Sequence, residues 1–176
     1  ICLIEEGTPK TANTFEVART YRFKKGSGMP VSTPVVEMVE IGAGGGSIAS
    51  VDKMNRIQAG PENAGSEPGP VAYDRGGQEP TVTDADIALG KIIPENFAGG
   101  RIELDVCAAQ TALEKKIGEP LGLEEDKAAF GVSEIVDENM ASAARVHAAE
   151  WGQELTGRTL IAFGGNGPLQ IGRAHV

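Results

Sequence analysis

The chain has 176 residues, enough to bury a core, and its 40% apolar content is that of an ordinary globular protein, which excludes a disordered tail. Acidic residues outnumber basic ones by 25 to 16, and the net charge of -9 disfavours polyanionic partners, both nucleic acid and anionic membrane. No apolar run approaches the roughly 18 residues of a membrane span, and the expected compartment is the cytosol.

Residues 1–4, ICLI, form a strand-like run that starts without Met and reads as the continuation of a longer chain. A turn around Gly7 and Pro9, followed by alternating Phe15, Val17, Arg19, Tyr21 and Phe23, predicts a hairpin between residues 1–4 and 14–23. Residues 24–29 read as a surface loop and 35–41 as the next strand. The glycine-rich run 42–47 leads into a second predicted hairpin, 48–51 with 56–59. From 60 to 80 glycine and proline dominate and apolar periodicity is absent, which predicts an irregular loop, a frequent carrier of function.

Three helices follow. Residues 81–90 make a short one, with Thr83 or Asp84 to cap it and Gly90 to end it. Residues 105–117 place Val106, Ala109, Leu113 and Ile117 near one face. The longest runs over 125–151, with Val132, Ile135, Val136, Met140, Ala143 and Val146 at helical spacing and His147 read as a packing residue. A returning strand is predicted at 159–163, ending in a second glycine turn, 164–168. Cys2 and Cys107 lie too far apart in sequence to suggest a disulfide framework or metal knuckle, and both are expected as buried thiols.

The two glycine turns admit two readings. Either they only turn the chain, or their bare N–H groups approach a phosphate or carboxylate. Neither fits a dinucleotide or P-loop fingerprint, and no GxSxG elbow or nearby histidine makes Ser47 a nucleophile. Among the acids Asp52, Asp74, Asp84 and Asp86, Asp84 is best placed, leaving the irregular loop between threonines; it suits either a helix cap or a carboxylate holding Mg²⁺. Asp86 reads as a solvated first-turn charge, and Arg75 as a clamp for an anion or the partner of an acidic neighbour.

Four ordered stretches, IGAGGGSIASVD, AGPENAGSEPGPVAYDRGG, EPTVTDADIALGK and LIAFGGNGP, together resemble the hydantoinase A / 5-oxoprolinase family, which includes ATP-using subunits of acetone and acetophenone carboxylases. The resemblance implies an α/β fold, part of a lobe like those of actin, Hsp70 and sugar kinases, β-rich at first, then helical, then with the returning strand. It implies ATP and Mg²⁺, a cyclic amide or ketone substrate activated by phosphorylation of its carbonyl oxygen, and a second, hydantoinase B-type subunit or domain. By position, Gly42, Gly44, Gly45, Gly46 and Ser47 match the family's glycine cradle. Gly164, Gly165, Asn166 and Gly167 match the turn that holds the adenosine end of the nucleotide. Asp84 matches the aspartate of TVTDA, expected to act in catalysis and on the metal.

Asp86, Asn63 and Asn166 stand where Asn, Ser and Ala are common in the family. The two DxGGT phosphate motifs of the family are not in the sequence, so residues 1–170 are expected to form a partial domain without ATP turnover of its own, within a full-length parent that has it. Residues 171–176 back-translate to a common sequencing-library adapter and are expected to be non-native, which removes His175 from consideration. Three functions follow as alternatives: a cyclic-amide hydrolase, a subunit of a ketone carboxylase, or a non-catalytic structural piece.

Overall fold

A computed structural model describes residues 1–18, 20 and 26–170. The predictions at Arg19, at residues 21–25 and at 171–176, His175 included, lie outside the described residues. The chain divides into two units, residues 1–41 with 140–159 and residues 42–139 with the segment from 160 on.

In the first unit, Glu6 and Gly7 take left-handed backbone (φ 50° and 77°), the pattern that closes a two-residue hairpin. This folds β1 (Ile4–Glu5) onto β2 (Thr8–Pro9). β3 (Thr11–Val17) then pairs antiparallel with β4 (Met29–Val36), from Thr11↔Val36 to Val17↔Met29. The predicted hairpin of residues 1–4 with 14–23 is therefore replaced by two others, and the strand expected at 35–41 lies mostly earlier. Alternation signals a strand and is silent about its partner. Pro30 and Pro34 are tolerated because a two-stranded sheet has only edges. Lys10 Nζ sits 4.6 Å from the Trp151 ring centroid, and Arg158 pairs with Glu5 at 3.6 Å.

In the second unit, β5 (Ser47–Val51) and β6 (Ile57–Asn63) form the hairpin expected after the first glycines. Asp52 staples its turn, accepting from the Met54 and Arg56 N–H groups at 2.8 and 3.0 Å and from Arg56 Nε at 2.8 Å. Helix α1 (Val82–Ala88) is joined to this hairpin by the Ile48↔Thr81 bridge and by Ala49 N–H donating to Pro80 O at 2.7 Å. Helix α2 (Val106–Leu113) continues through a π turn (Glu114–Gly118) into a single turn, α3 (Glu119–Leu121). As predicted, Ala109, Leu113 and Ile117 are wholly buried on one face. Ala72, Ile87, Leu104 and Ala109 form a small core, with Tyr73, Phe97 and Val106 packed against it.

Helix α4 (Glu125–Glu150) carries residues of both units. Val132, Val136 and Ala143 are buried as expected, but Val146 is 38% exposed while His147, at 3%, takes the inward position. Among the described residues no helix is long and apolar enough to cross a membrane.

Two further expectations change. Residues 159–163 join no sheet, and Ile161 and Phe163 stand 69% and 86% exposed; their apolar pattern shows strand propensity, and no strand lies beside them among the described residues. Neither cysteine is buried, since Cys2 is half-buried and Cys107 exposed.

Candidate functional site

Three segments of the second unit converge: the first glycine turn, the start of α1 and the second glycine turn. Ser47 shapes the first. Its hydroxyl accepts from Gly44 N–H at 3.1 Å while its own N–H donates to Gly44 O at 3.0 Å, and the side chain is wholly buried. The carbonyls of the turn face protein, Gly45 O accepting from Thr83 N–H and Gly46 O from Ala64 N–H, both at 2.8 Å. The N–H groups of Gly45 and Gly46 donate to no acceptor among the described residues.

Space explains why two of these positions are glycine. A Cβ on Gly45 would lie 2.5 Å from Thr83 Oγ1 and 3.2 Å from Asn166 Oδ1, and one on Gly46 would lie 2.6 Å from Asn63 Oδ1. Gly45 therefore lies close both to Thr83 of α1 and to Asn166 in the second glycine turn. The Asn166 Nδ2 is buried and has no hydrogen-bond partner, a state that costs free energy until an acceptor arrives. Gly164, Gly165 and Gly167 have open space where a Cβ would be. Gly42 and Gly164 need glycine for another reason, their φ of 56° and 94°.

Asp84 is wholly buried. Its Oδ1 accepts from Ala72 N–H at 2.8 Å, and its Oδ2 accepts from Val71 N–H at 3.1 Å, Thr81 N–H at 2.7 Å and Thr81 Oγ1 at 2.8 Å. The helix cap is Thr81, not Thr83 or Asp84; Asp84 supplies the other half of a capping box. Three of these donors fall on Oδ2 and one on Oδ1, so the carboxylate is engaged by its own chain while Oδ1 keeps acceptor capacity within a wholly buried group. No cluster of three or more His, Cys, Asp or Glu that would hold an ion occurs among the described residues.

Asp86 corrects a second expectation. It is not solvated but wholly buried, with Gln170 Nε2 donating to its two oxygens at 2.7 and 2.6 Å and Lys91 Nζ 3.5 Å away. Burial pushes its carboxyl up to about 6, against the pull of Lys91 and Gln170, and the charge of Asp137 adds to the rise. With the folded value above the unfolded 3.8, the stability tied to this group is full below pH 3.8 and lost as pH climbs through about 6. About two pH units at about 1.4 kcal/mol each make about 3 kcal/mol. Asp86→Asn should therefore gain on the native protein between pH 4 and 6 and hold that gain above; urea titrations across this range that show a constant difference would contradict the elevated carboxyl.

The remaining candidates lie elsewhere. Arg75 is exposed and stacks over Tyr73 at 5.9 Å, and Asp74 is an exposed left-handed residue with φ 51°. A cavity of about 460 Å³ runs along α2 by Cys107 and Thr111 and includes no glycine-turn residue. Gln170 and the Thr81 cap are not among the residues expected from sequence, and Thr83 is expected only as a cap, a role that belongs to Thr81; of these only Thr81 carries a local signal, the T-x-x-D spacing.

What the segments share is an excess of donors: two glycine N–H groups and a buried amide with no acceptor of their own. That suits an acceptor-rich, anionic group such as a phosphate. The family described as hydantoinase/oxoprolinase matches residues 1–174. The acetophenone carboxylase gamma subunit of Aromatoleum aromaticum is 48% identical over 142 residues, 80% of this chain and 19% of that protein. A nucleotide-free acetone carboxylase structure superposes with a TM-score of 0.80 at 28% identity, over 94% of this chain and 22% of that one. The ATP-dependent caprolactamase of Pseudomonas jessenii does so with a TM-score of 0.64 at 41% identity, over 76% of this chain and 19% of that one. The chain thus spans about a fifth of the length of these relatives.

Proposed function

Because the chain belongs to the hydantoinase/oxoprolinase family, we propose that it carries part of the nucleotide site of an ATP-dependent enzyme that activates a carbonyl group. The observation behind this reading is the meeting of the two glycine turns at Gly45 and Asn166, with donors that have no acceptor of their own. In the parent protein, Gly42, Gly44, Gly45, Gly46 and Ser47 form one wall of the site and Gly164, Gly165, Asn166 and Gly167 the other. The proposal includes the lobe architecture of sugar kinases and actin.

ATP held there would supply the phosphoryl group that activates the carbonyl oxygen of a cyclic amide toward water; with two waters consumed, the products would be ADP, inorganic phosphate and the ring-opened amino acid. This chain's part is to bind and orient. The glycine N–H groups and the Asn166 amide donate to phosphate or ribose oxygens, and Thr83 keeps the first turn in register through Gly45 O. Asp84 acts by position, holding the backbone of Val71, Ala72 and Thr81. Its carboxylate is wholly buried and engaged by four donors of its own chain, and Mg²⁺ is assigned no step through it.

A second reading keeps the nucleotide site but makes the parent the ATP-using subunit of a ketone carboxylase, completed by a hydantoinase B-type partner. It is favoured by the higher identity to a carboxylase subunit, 48% against 41% for the caprolactamase. Calorimetric titration of the full-length parent with Mg-ATP, alone and with 5-oxoproline, hydantoin, caprolactam, acetone or acetophenone, separates the two. Binding tightened by a cyclic amide selects the hydrolase, and binding tightened by a ketone selects the carboxylase. No nucleotide binding at all would leave two glycine turns that only turn the chain.

A further inference from the structure

Helix α1 carries two wholly buried aspartates, and only Asp84 is engaged with the loop beneath the site. Asp86 reaches a different part of the chain. Both its oxygens are held by Gln170, 84 residues away, and the far side of the same amide is held too: Ser133 Oγ donates to Gln170 Oε1 at 3.4 Å, and Lys91 Nζ donates to Ser133 Oγ at 2.6 Å. The Gln170 side chain is thus gripped at both ends by α1 and α4, with 1% of the residue exposed. Gln170 also ends the short 3-10 helix Gly167–Gln170, in which Leu169 N–H donates to Asn166 O at 3.0 Å. Fixing Gln170 fixes the turn that carries Asn166.

We propose that Asp86 is a positioning residue: through Gln170 it holds the second glycine turn so that Asn166 stands against Gly45. The inference rests on the nucleotide reading of that turn and adds to it a device that sets the turn's place. A glycine-rich turn has little of its own to define its position, since a Cβ at Gly164, Gly165 or Gly167 would meet only open space. A buried carboxylate that accepts twice from one amide is directional and short, which suits it to locate a segment distant in sequence. Hydrophobic packing at Gln170 would bury the chain equally well without specifying where Asn166 falls.

The test exploits length. Gln170→Asn shortens the span by one methylene and breaks the pair, while Asp86→Glu adds one from the other side. Each single variant in the full-length parent should weaken Mg-ATP binding, read by calorimetry, at least about fivefold, and the double variant Asp86→Glu/Gln170→Asn should recover to within about twofold, as expected for directly coupled residues. Melting curves of the same samples report folding; a single variant that does not fold is replaced by the other, which probes the same span. Binding unchanged in the single variants overturns the inference and leaves the nucleotide site intact. Singles that weaken binding with no recovery in the double also overturn it, because a packing defect is not repaired by restoring length. Absence of ATP binding by the native parent removes the nucleotide reading itself, and this inference with it.

Discussion

Asp84→Ala is expected to lower the unfolding free energy of the parent domain by at least about 4 kcal/mol, since three backbone N–H groups and one hydroxyl lose a buried acceptor at about 1–3 kcal/mol each. The carboxylate is the sole side chain that ties the 3-10 turn Val71–Tyr73 to the first turn of α1 among the described residues, through Val71, Ala72 and Thr81. Asp84→Asn keeps one acceptor and turns an NH₂ toward donors, so it should be destabilising by a smaller amount. Denaturant titrations of both variants check this. A loss below about 1 kcal/mol for the alanine variant would show that water or relaxed geometry satisfies these groups instead. An asparagine variant that folds like the native protein but has lost turnover would return Asp84 to a chemical role.

Gly45→Val should abolish measurable nucleotide binding by the full-length parent, a weakening of about a hundredfold or more, equivalent to about 2.7 kcal/mol. Gly45 does not take the left-handed φ that demands glycine, so the effect is one of space: the first carbon added falls 2.5 Å from Thr83 Oγ1 and 3.2 Å from Asn166 Oδ1. To fit it, the first glycine turn must move away from α1 and from the second turn, and the donors that face the ligand move with it. Gly45→Ala isolates the first carbon. Adding Thr83→Ala removes the oxygen it meets and should return much of the lost stability. Native-like ATP affinity in Gly45→Val would mean that the two turns do not meet at a nucleotide.

Local rules made much of this fold legible. The β5–β6 hairpin, the end of α1 and the buried face of α2 follow from glycine placement and apolar positions three and four apart, all read within a few residues, whereas the cap of α1, expected at Thr83 or Asp84, belongs to Thr81. Pairing is different. Thr14 to Val17 alternate as a strand should, yet nothing in that alternation says that β4 rather than residues 1–4 will lie beside them. Residues 159–163 show the same limit, carrying strand residues without a strand to join. The site divides likewise. The glycine turns were visible as glycine, but that Gly45 touches Asn166 is a contact across 121 positions, and it took the fold to supply it. Asp86 was read as solvated because its nearest neighbours in sequence are compatible with a helix surface; the residue that buries it, Gln170, carries no signal that points back to α1. Asp84 was placed correctly at the helix start, while its partners Val71 and Ala72 belong to a loop whose backbone donors no pattern announces.

The loop between β6 and α1 has almost no regular structure, yet it does not form an independent moving part. Its Val71 and Ala72 N–H groups end on a carboxylate in the first turn of α1, and Asp105 N–H, at the cap of α2, ends on Ala72 O at 2.8 Å. To open there, the loop has to release both helix starts together, so segment and helices form one cooperative unit. In amide hydrogen exchange the protons on Val71 and Ala72 should follow the slow schedule of α1, while those of Gly76 and Gln78, a few residues along the same loop, exchange freely. Irregular backbone and slow backbone coincide here, and the cause is one buried side chain.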